Sequence, residues 1–175
     1  MIQAIILMGV SGSGKTSIGK ALSSVTGIPF YDGDDFMPAK QIEKMANGKP
    51  LTDDDREPWL ESLHLLIADQ LQQGNSLIVA SSALKRQYRT ILRGNLKGVE
   101  FVYLKGNFDL IHGRMAKRKG HYMKADMLRS QFDTLQEPNH ATIINIEQSI
   151  SECVKEIIQK LGLIALSGVD PLNSK

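Results

Sequence analysis

The sequence predicts an α/β protein, a three-layer α/β/α sandwich built around a five-stranded, mostly parallel sheet. Three observations lead there: an apolar run from Ile2 to Met8 interrupted only by Gln3, a glycine-rich loop directly behind it, and apolar stretches that alternate with amphipathic ones to the end of the chain. A strand buried on both faces shows no polar alternation, and that burial needs helices on either side of the sheet.

Each element follows from its own pattern. After the glycine loop, Ile18, Ala21, Leu22 and Val25 recur at helical spacing, and Gly27 with Pro29 ends the helix before a short strand at Phe30 and Tyr31. A short helix is expected from Pro38 to Met45, broken by Gly48 and Pro50. Trp59, Leu60, Leu63, Ile67 and Leu71 then form one helical face that runs to Gly74, followed by a second buried strand at Ser76 to Ala80. Further elements are a helix from Leu84 to Arg93, a strand from Val99 to Leu104 and a helix from Phe108 to about Lys117. They are followed by a helix from Asp126 to Leu135, a strand from Thr142 to Ile146 and a closing helix carrying Ile150, Val154, Ile157, Ile158 and Leu161. Right-handed crossovers join such parallel strands. Residues 1–163 are expected to form one domain, and the weakly patterned 164–175 an extension.

Bulk properties narrow the classes of function. With 175 residues the chain can bury a core without disulfides, and 42% hydrophobic with 23% charged residues excludes a disordered chain. A net charge of +2, with no continuous basic stripe, argues against a nucleic-acid partner and for a small anionic ligand. The single cysteine, Cys153, points neither to a zinc site nor to an oxidising compartment. No apolar run approaches the ~20 residues of a membrane span, so a cytoplasmic protein without membrane contact is expected.

The loop Gly9-Val10-Ser11-Gly12-Ser13-Gly14-Lys15-Thr16 matches G-x-x-x-x-G-K-[ST] in the strand-to-helix context that gives the motif meaning. Glycines let the backbone N–H groups turn inward around a polyphosphate, and the helix N-terminus adds its positive dipole end. The expected ATP-binding set is therefore Gly9, Ser11, Gly12, Ser13, Gly14, Lys15, Thr16 and Ser17, with Lys15 on the terminal phosphates and the Thr16 hydroxyl on Mg2+.

Opposite the loop, the second strand ends in Asp32-Gly33-Asp34-Asp35, at the sheet edge where ligands of such folds bind. On an extended segment Asp32 and Asp34 would point the same way, Asp32 toward a metal and its waters, Asp34 toward an acceptor hydroxyl as general base. Thr52-Asp53-Asp54-Asp55-Arg56 reads as a helix cap with an acidic first turn; Arg56 is out of place there unless it pairs with an acid or grips an anionic substrate. Ser81 to Lys85 place small hydroxyls and a lysine at the same edge, and Lys85 and Arg89 could present charge to the site or to solvent. The basic run Arg114 to Lys119, ending in Gly120-His121, reads as a hinged lid over about 118–126 whose Arg118 neutralises a transferring phosphoryl group.

Together these motifs resemble the small P-loop gluconate kinases, relatives of shikimate and adenylate kinases. The resemblance rests on Gly9 to Thr16, Asp32-Gly33-Asp34, Ile42 to Met45, Pro50 to Arg56 with Pro58-Trp59-Leu60, and Ser82 to Lys85 with Tyr88-Arg89. Arg118 to His121, and Ser130-Gln131-Phe132 with Glu137-Pro138, complete it. It implies ATP-dependent phosphorylation of D-gluconate at its 6-hydroxyl, a homodimer, Arg114 against adenine and Arg118 closing on the phosphates. It also implies an acceptor set of Asp32, Asp34, Arg56, Lys85, His121 and Gln131. The sequence departs from the family pattern at Met37, where histidine is common, at Gln41, where asparagine is common, and at Ser81, where cysteine is common. Two alternatives stand beside this reading: a kinase for another sugar acid or a shikimate-like compound, and a nucleotide-binding regulator without transfer activity.

Overall fold

The computed structural model describes residues 2–47, 49–117 and 125–166. Its sheet contains β1 (Ala4–Met8), β2 (Phe30–Asp32), β3 (Leu77–Ala80), β4 (Val99–Lys105) and β5 (Thr142–Asn145), in the order β2-β3-β1-β4-β5. Every pairing is parallel, with Ile6 opposite Val79 on one side and Phe101 on the other. The central strand β1 is wholly buried, which is why its sequence carries no polar residue between Ala4 and Met8.

Alternation along β1 divides the core. Ile5 and Leu7 face one layer, with Ile18, Leu22 and Val25 of α1 (Lys15–Thr26) and Cys153, Val154 and Ile157 of α7 (Ile150–Leu161). Ala4, Ile6 and Met8 face the other, with Trp59, Leu60, Leu63 and Ile67 of α3 (Asp53–Gln72) and Tyr88 and Leu92 of α4 (Arg86–Arg93). Each fully buried aliphatic side chain of this kind contributes about 1.5–3 kcal/mol of transfer free energy. The remaining helices are α2 (Ala39–Ala46), α5 (Phe108–Ala116) and α6 (Ala125–Thr134). Among the described residues, no helix is long and apolar enough to cross a membrane.

Boundaries follow local chemistry. Gly27 ends α1 in the left-handed conformation at φ 73°, its N–H donating to the Ser23 carbonyl. Thr52 and Asp55 form a capping box at the start of α3, so that helix begins at Asp53, ahead of the apolar face that Trp59 opens. One local expectation is corrected: after β2 the chain is not extended but turns at once into a short 3-10 helix, Gly33–Phe36, capped by the Asp32 side chain, which accepts the Asp34 N–H.

Candidate active site

The C-terminal ends of β1, β2 and β3 open into one cavity of about 790 Å3, within the ~300–1,000 Å3 typical of small-ligand sites. Its lining includes Ser11, Gly12, Gly14, Lys15, Thr16 and Ser17 from the loop after β1, and Asp32 and Asp34 from the turn after β2. Arg56 and Trp59 of α3 and Ser81 and Ser82 after β3 complete the polar part, while Met37, Met45, Leu51, Met115 and Met127 supply apolar walls.

The phosphate loop has a conformation that its glycines make possible. Gly12 and Gly14 sit at φ 79° and 95°, and a Cβ at Gly12 would lie 2.7 Å from the Met115 side chain. Gly9 and Ser13 form the underside of the loop: the Gly9 N–H donates to Ser82 O at 3.2 Å, and the fully buried Ser13 hydroxyl has no hydrogen-bond partner among the described residues. The Lys15 ammonium folds back to donate to the Gly9 and Val10 carbonyls, both at 3.0 Å. Although the residue as a whole keeps some exposure, its charged end is withdrawn from water, and this desolvation lowers its pKa to about 8 against the opposing pull of Asp34 and Asp32.

On the facing side, the Thr16 hydroxyl donates to Asp32 Oδ2 at 2.7 Å, and Asp32 Oδ1 accepts the Asp34 N–H at 3.2 Å. Asp32 thus links the loop to the turn that carries Asp34. Asp34 retains solvent contact but lies inside the concave site, where burial first, then Asp32, raises its pKa, with Lys15 pulling the other way. A carboxylate beside another carboxylate and held partly out of water is a stronger base than a free one. Hydroxyl and carboxylate oxygens at Thr16 and Asp32 form a hard donor pair suited to Mg2+ with water completing its shell.

Trp59 fixes the turn. Its indole Nε1 donates to Gly33 O at 2.7 Å, and Gly33 packs so close to β3 that a Cβ would stand 2.3 Å from Ala80 O. Gln131 of α6 reaches across to accept the Ser11 N–H at 2.7 Å, so it touches the phosphate loop and lines the cavity at once. Arg114 donates to Ile146 O at 2.6 Å beyond β5, away from the acceptor side. Arg56 lines the cavity and makes no ion pair among the described residues.

Lys85 departs from its expected place. Its ammonium is held by both oxygens of Asp53 at 2.7 Å and does not line the cavity. Asp53 also accepts from Gln87 Nε2 at 2.9 Å and from the Tyr88 hydroxyl, and the Lys85 and Tyr88 hydrogen bonds hold its carboxyl below the usual range. The aspartate expected to be only a first-turn charge therefore ties α3 to α4. Arg89 likewise turns from the site to donate to Ala83 O and Leu84 O at 2.9 and 3.0 Å. Arg118, His121 and most of the expected lid lie outside the described residues.

A glycine-rich phosphate loop facing an acidic turn across the C-terminal edge of a parallel sheet defines a P-loop kinase architecture. The shikimate kinase family model matches residues 11–162. The thermoresistant gluconokinase of Escherichia coli is 45% identical over 159 residues, covering 88% of this chain and 90% of that protein. A gluconokinase structure from Sinorhizobium meliloti superposes with a TM-score of 0.80 at 40% identity over 91% of each chain. An unliganded sugar kinase structure from Janibacter sp. gives 0.84 at 38% identity, covering 93% of this chain and 96% of that one. The chain belongs to the gluconokinase family of small P-loop kinases.

Proposed function

We propose that this protein transfers the γ-phosphoryl group of ATP to the 6-hydroxyl of D-gluconate, giving 6-phosphogluconate and ADP. The observation that carries the proposal is the placement of Asp34, a carboxylate of raised pKa, in the same cavity as the Lys15 phosphate loop and the Thr16–Asp32 oxygen pair. The relatives named gluconokinase support the choice of acceptor.

In this mechanism the loop amides from Ser11 to Thr16 and the Lys15 ammonium hold the triphosphate, and Asp34 accepts the proton as the hydroxyl oxygen forms its bond to phosphorus. The bond from phosphorus to the ADP oxygen breaks in the same displacement. Thr16 and Asp32 would hold Mg2+, which when bound neutralises phosphate charge. Asp34 as a positioned base contributes about 10²–10⁴ in rate. Arg56, which lines the cavity, takes the acceptor carboxylate in this reading, and Gln131, which lines the cavity and accepts the Ser11 N–H, takes part on the acceptor side. By resemblance, Arg114 takes the adenine side, Arg118 the transferred phosphoryl group and His121 the acceptor. Work in the cytoplasm, the expectation drawn from the sequence, and assembly as a homodimer, which rests on the resemblance, belong to the same proposal.

The test is ADP release from Mg-ATP with D-gluconate, its epimers and shikimate as acceptors. Gluconate-dependent release, with product phosphorylated at the 6-position by 31P NMR, is expected. ATP binding without stimulation by any sugar acid would sink the proposal in favour of a nucleotide-binding regulator, and stimulation by another acid alone would correct the acceptor.

A further inference from the structure

A second cavity of about 540 Å3 lies on the far side of α4, between that helix and the segment 136–140, with Phe101 of β4 at its base. Arg86, Arg89 and Arg93 all line it. Their spacing of three and four residues places three guanidinium groups on one helix face, spread over about 10 Å at ~1.5 Å per residue. Among the described residues none of the three is paired with a carboxylate. Glu137, the acid at the rim, is engaged by Lys105 at 2.8 Å. Arg93 donates to Val99 O at 3.1 Å and lies 5.2 Å from the Phe101 ring centroid, which fixes its direction without neutralising it. Burial first, and then the neighbouring charge of Arg86, lower the pKa of Arg89. On the opposite wall Gln136, Asn139 and His140 offer amide and imidazole partners.

From this arrangement we infer that the cleft between α4 and residues 136–140 is a second anion site that takes a small phosphorylated sugar or sugar acid, the guanidiniums gripping phosphate and the facing amides reading hydroxyls. The cleft is also wired to the acceptor side of the catalytic cavity. Arg89 holds the carbonyls of Ala83 and Leu84, Gln136 N–H donates to Leu84 O at 2.9 Å, and Gln136 Oε1 accepts the Arg86 N–H at 2.7 Å. Ala83 is held at φ 44°, a left-handed conformation costly for alanine, one residue from Ser82 in the catalytic cavity. An anion that draws Arg89 into the cleft loosens that strained turn, so occupancy is read out in turnover.

The experiment is calorimetric titration of the full-length protein with glucose 6-phosphate while an unreactive ATP analogue and gluconate saturate the catalytic cavity. Binding with a Kd below about 1 mM is expected. Arg86→Glu should weaken it about tenfold or more while leaving turnover without glucose 6-phosphate unchanged. If the reversal unfolds the protein, Arg86→Gln is expected to weaken binding about threefold or more. In wild type, glucose 6-phosphate should shift kcat or KM for gluconate, and the shift should vanish in the variant. No binding heat, equal binding by the variants, or inorganic phosphate binding as tightly as the phosphosugar overturns the site. So does light scattering in which Arg86→Glu splits a dimer while no phosphosugar binds. Binding without any change in turnover overturns the link to the catalytic cavity.

Discussion

Replacing Lys15 by methionine tests the electrostatics of the phosphate loop directly, because the substitution keeps length and removes charge. The fall from 10.5 to about 8 means that folding the charged lysine without nucleotide costs about 3 kcal/mol at ~1.4 kcal/mol per pH unit. Residual exposure of the side chain screens part of this, so about 2 kcal/mol is the working figure. Against it stands the loss of the donor to the Gly9 and Val10 carbonyls, about 1 kcal/mol. Lys15→Met is therefore expected to raise nucleotide-free stability at pH 7 by about 1 kcal/mol while abolishing transfer. The pH dependence is more discriminating. Between pH 8 and 10.5 the unfolded lysine keeps its proton while the native one has lost it, so unfolding takes up a proton and wild type gains stability as pH rises. Methionine has no such gain, and the two stability curves should converge and cross within that window. Tyr103, pushed up to about 12, opposes stability at high pH in both proteins and drops out of the difference. Urea unfolding at intervals from pH 7 to 10.5 measures it. A difference that stays constant, or a variant already less stable at pH 7, refutes the account of Lys15 as a desolvated cation awaiting an anion.

Three further outcomes are expected. Asp34→Asn should lower kcat by about 10²–10⁴ with little change in ATP affinity, measured by steady-state kinetics and nucleotide titration; an unchanged kcat removes Asp34 from the base role. Asp35→Asn takes away a negative neighbour that helps raise Asp34, so the acid limb of kcat/KM should move to lower pH by about 0.4 unit, taking about 0.5 kcal/mol for such a charge in water. A limb that stays put or rises contradicts the assignment of that limb to Asp34. Trp59→Phe loses the hydrogen bond to Gly33 O and should cost about 1–2 kcal/mol in urea unfolding, with KM for gluconate rising more than KM for ATP; equal changes in the two constants would show that the turn does not set the acceptor side.

Much of this architecture was written in contiguous stretches of sequence. The apolar run of β1, the loop from Gly9 to Thr16 and the stop at Gly27 each depend on neighbours within a few residues, so pattern alone located them. The parallel sheet followed because strands and helices alternate. What escaped depended on partners far along the chain. Asp53 meets Lys85 and Tyr88 only once α3 has packed on α4, and the pairing takes Lys85 out of the cavity it was expected to line. The turn at Gly33 was hidden for a different reason: an aspartate that caps a 3-10 helix and one that continues a strand read alike until Asp32 is seen to accept the Asp34 N–H. Trp59 carried a signal that could have been used, since a tryptophan on an otherwise aliphatic face brings an indole N–H that must find an acceptor.

The position of β2 has an evolutionary corollary. It is an edge strand of three residues, paired among the described residues on one side only; Asp34, Arg56 and Trp59 hang on the single excursion between it and β3, while Asp32 at its end stays tied to Thr16 of the phosphate loop. The triphosphate end is built instead on the central strand. Recognition of the alcohol can therefore drift, or be exchanged as one cassette, while the apparatus for handling ATP stays untouched.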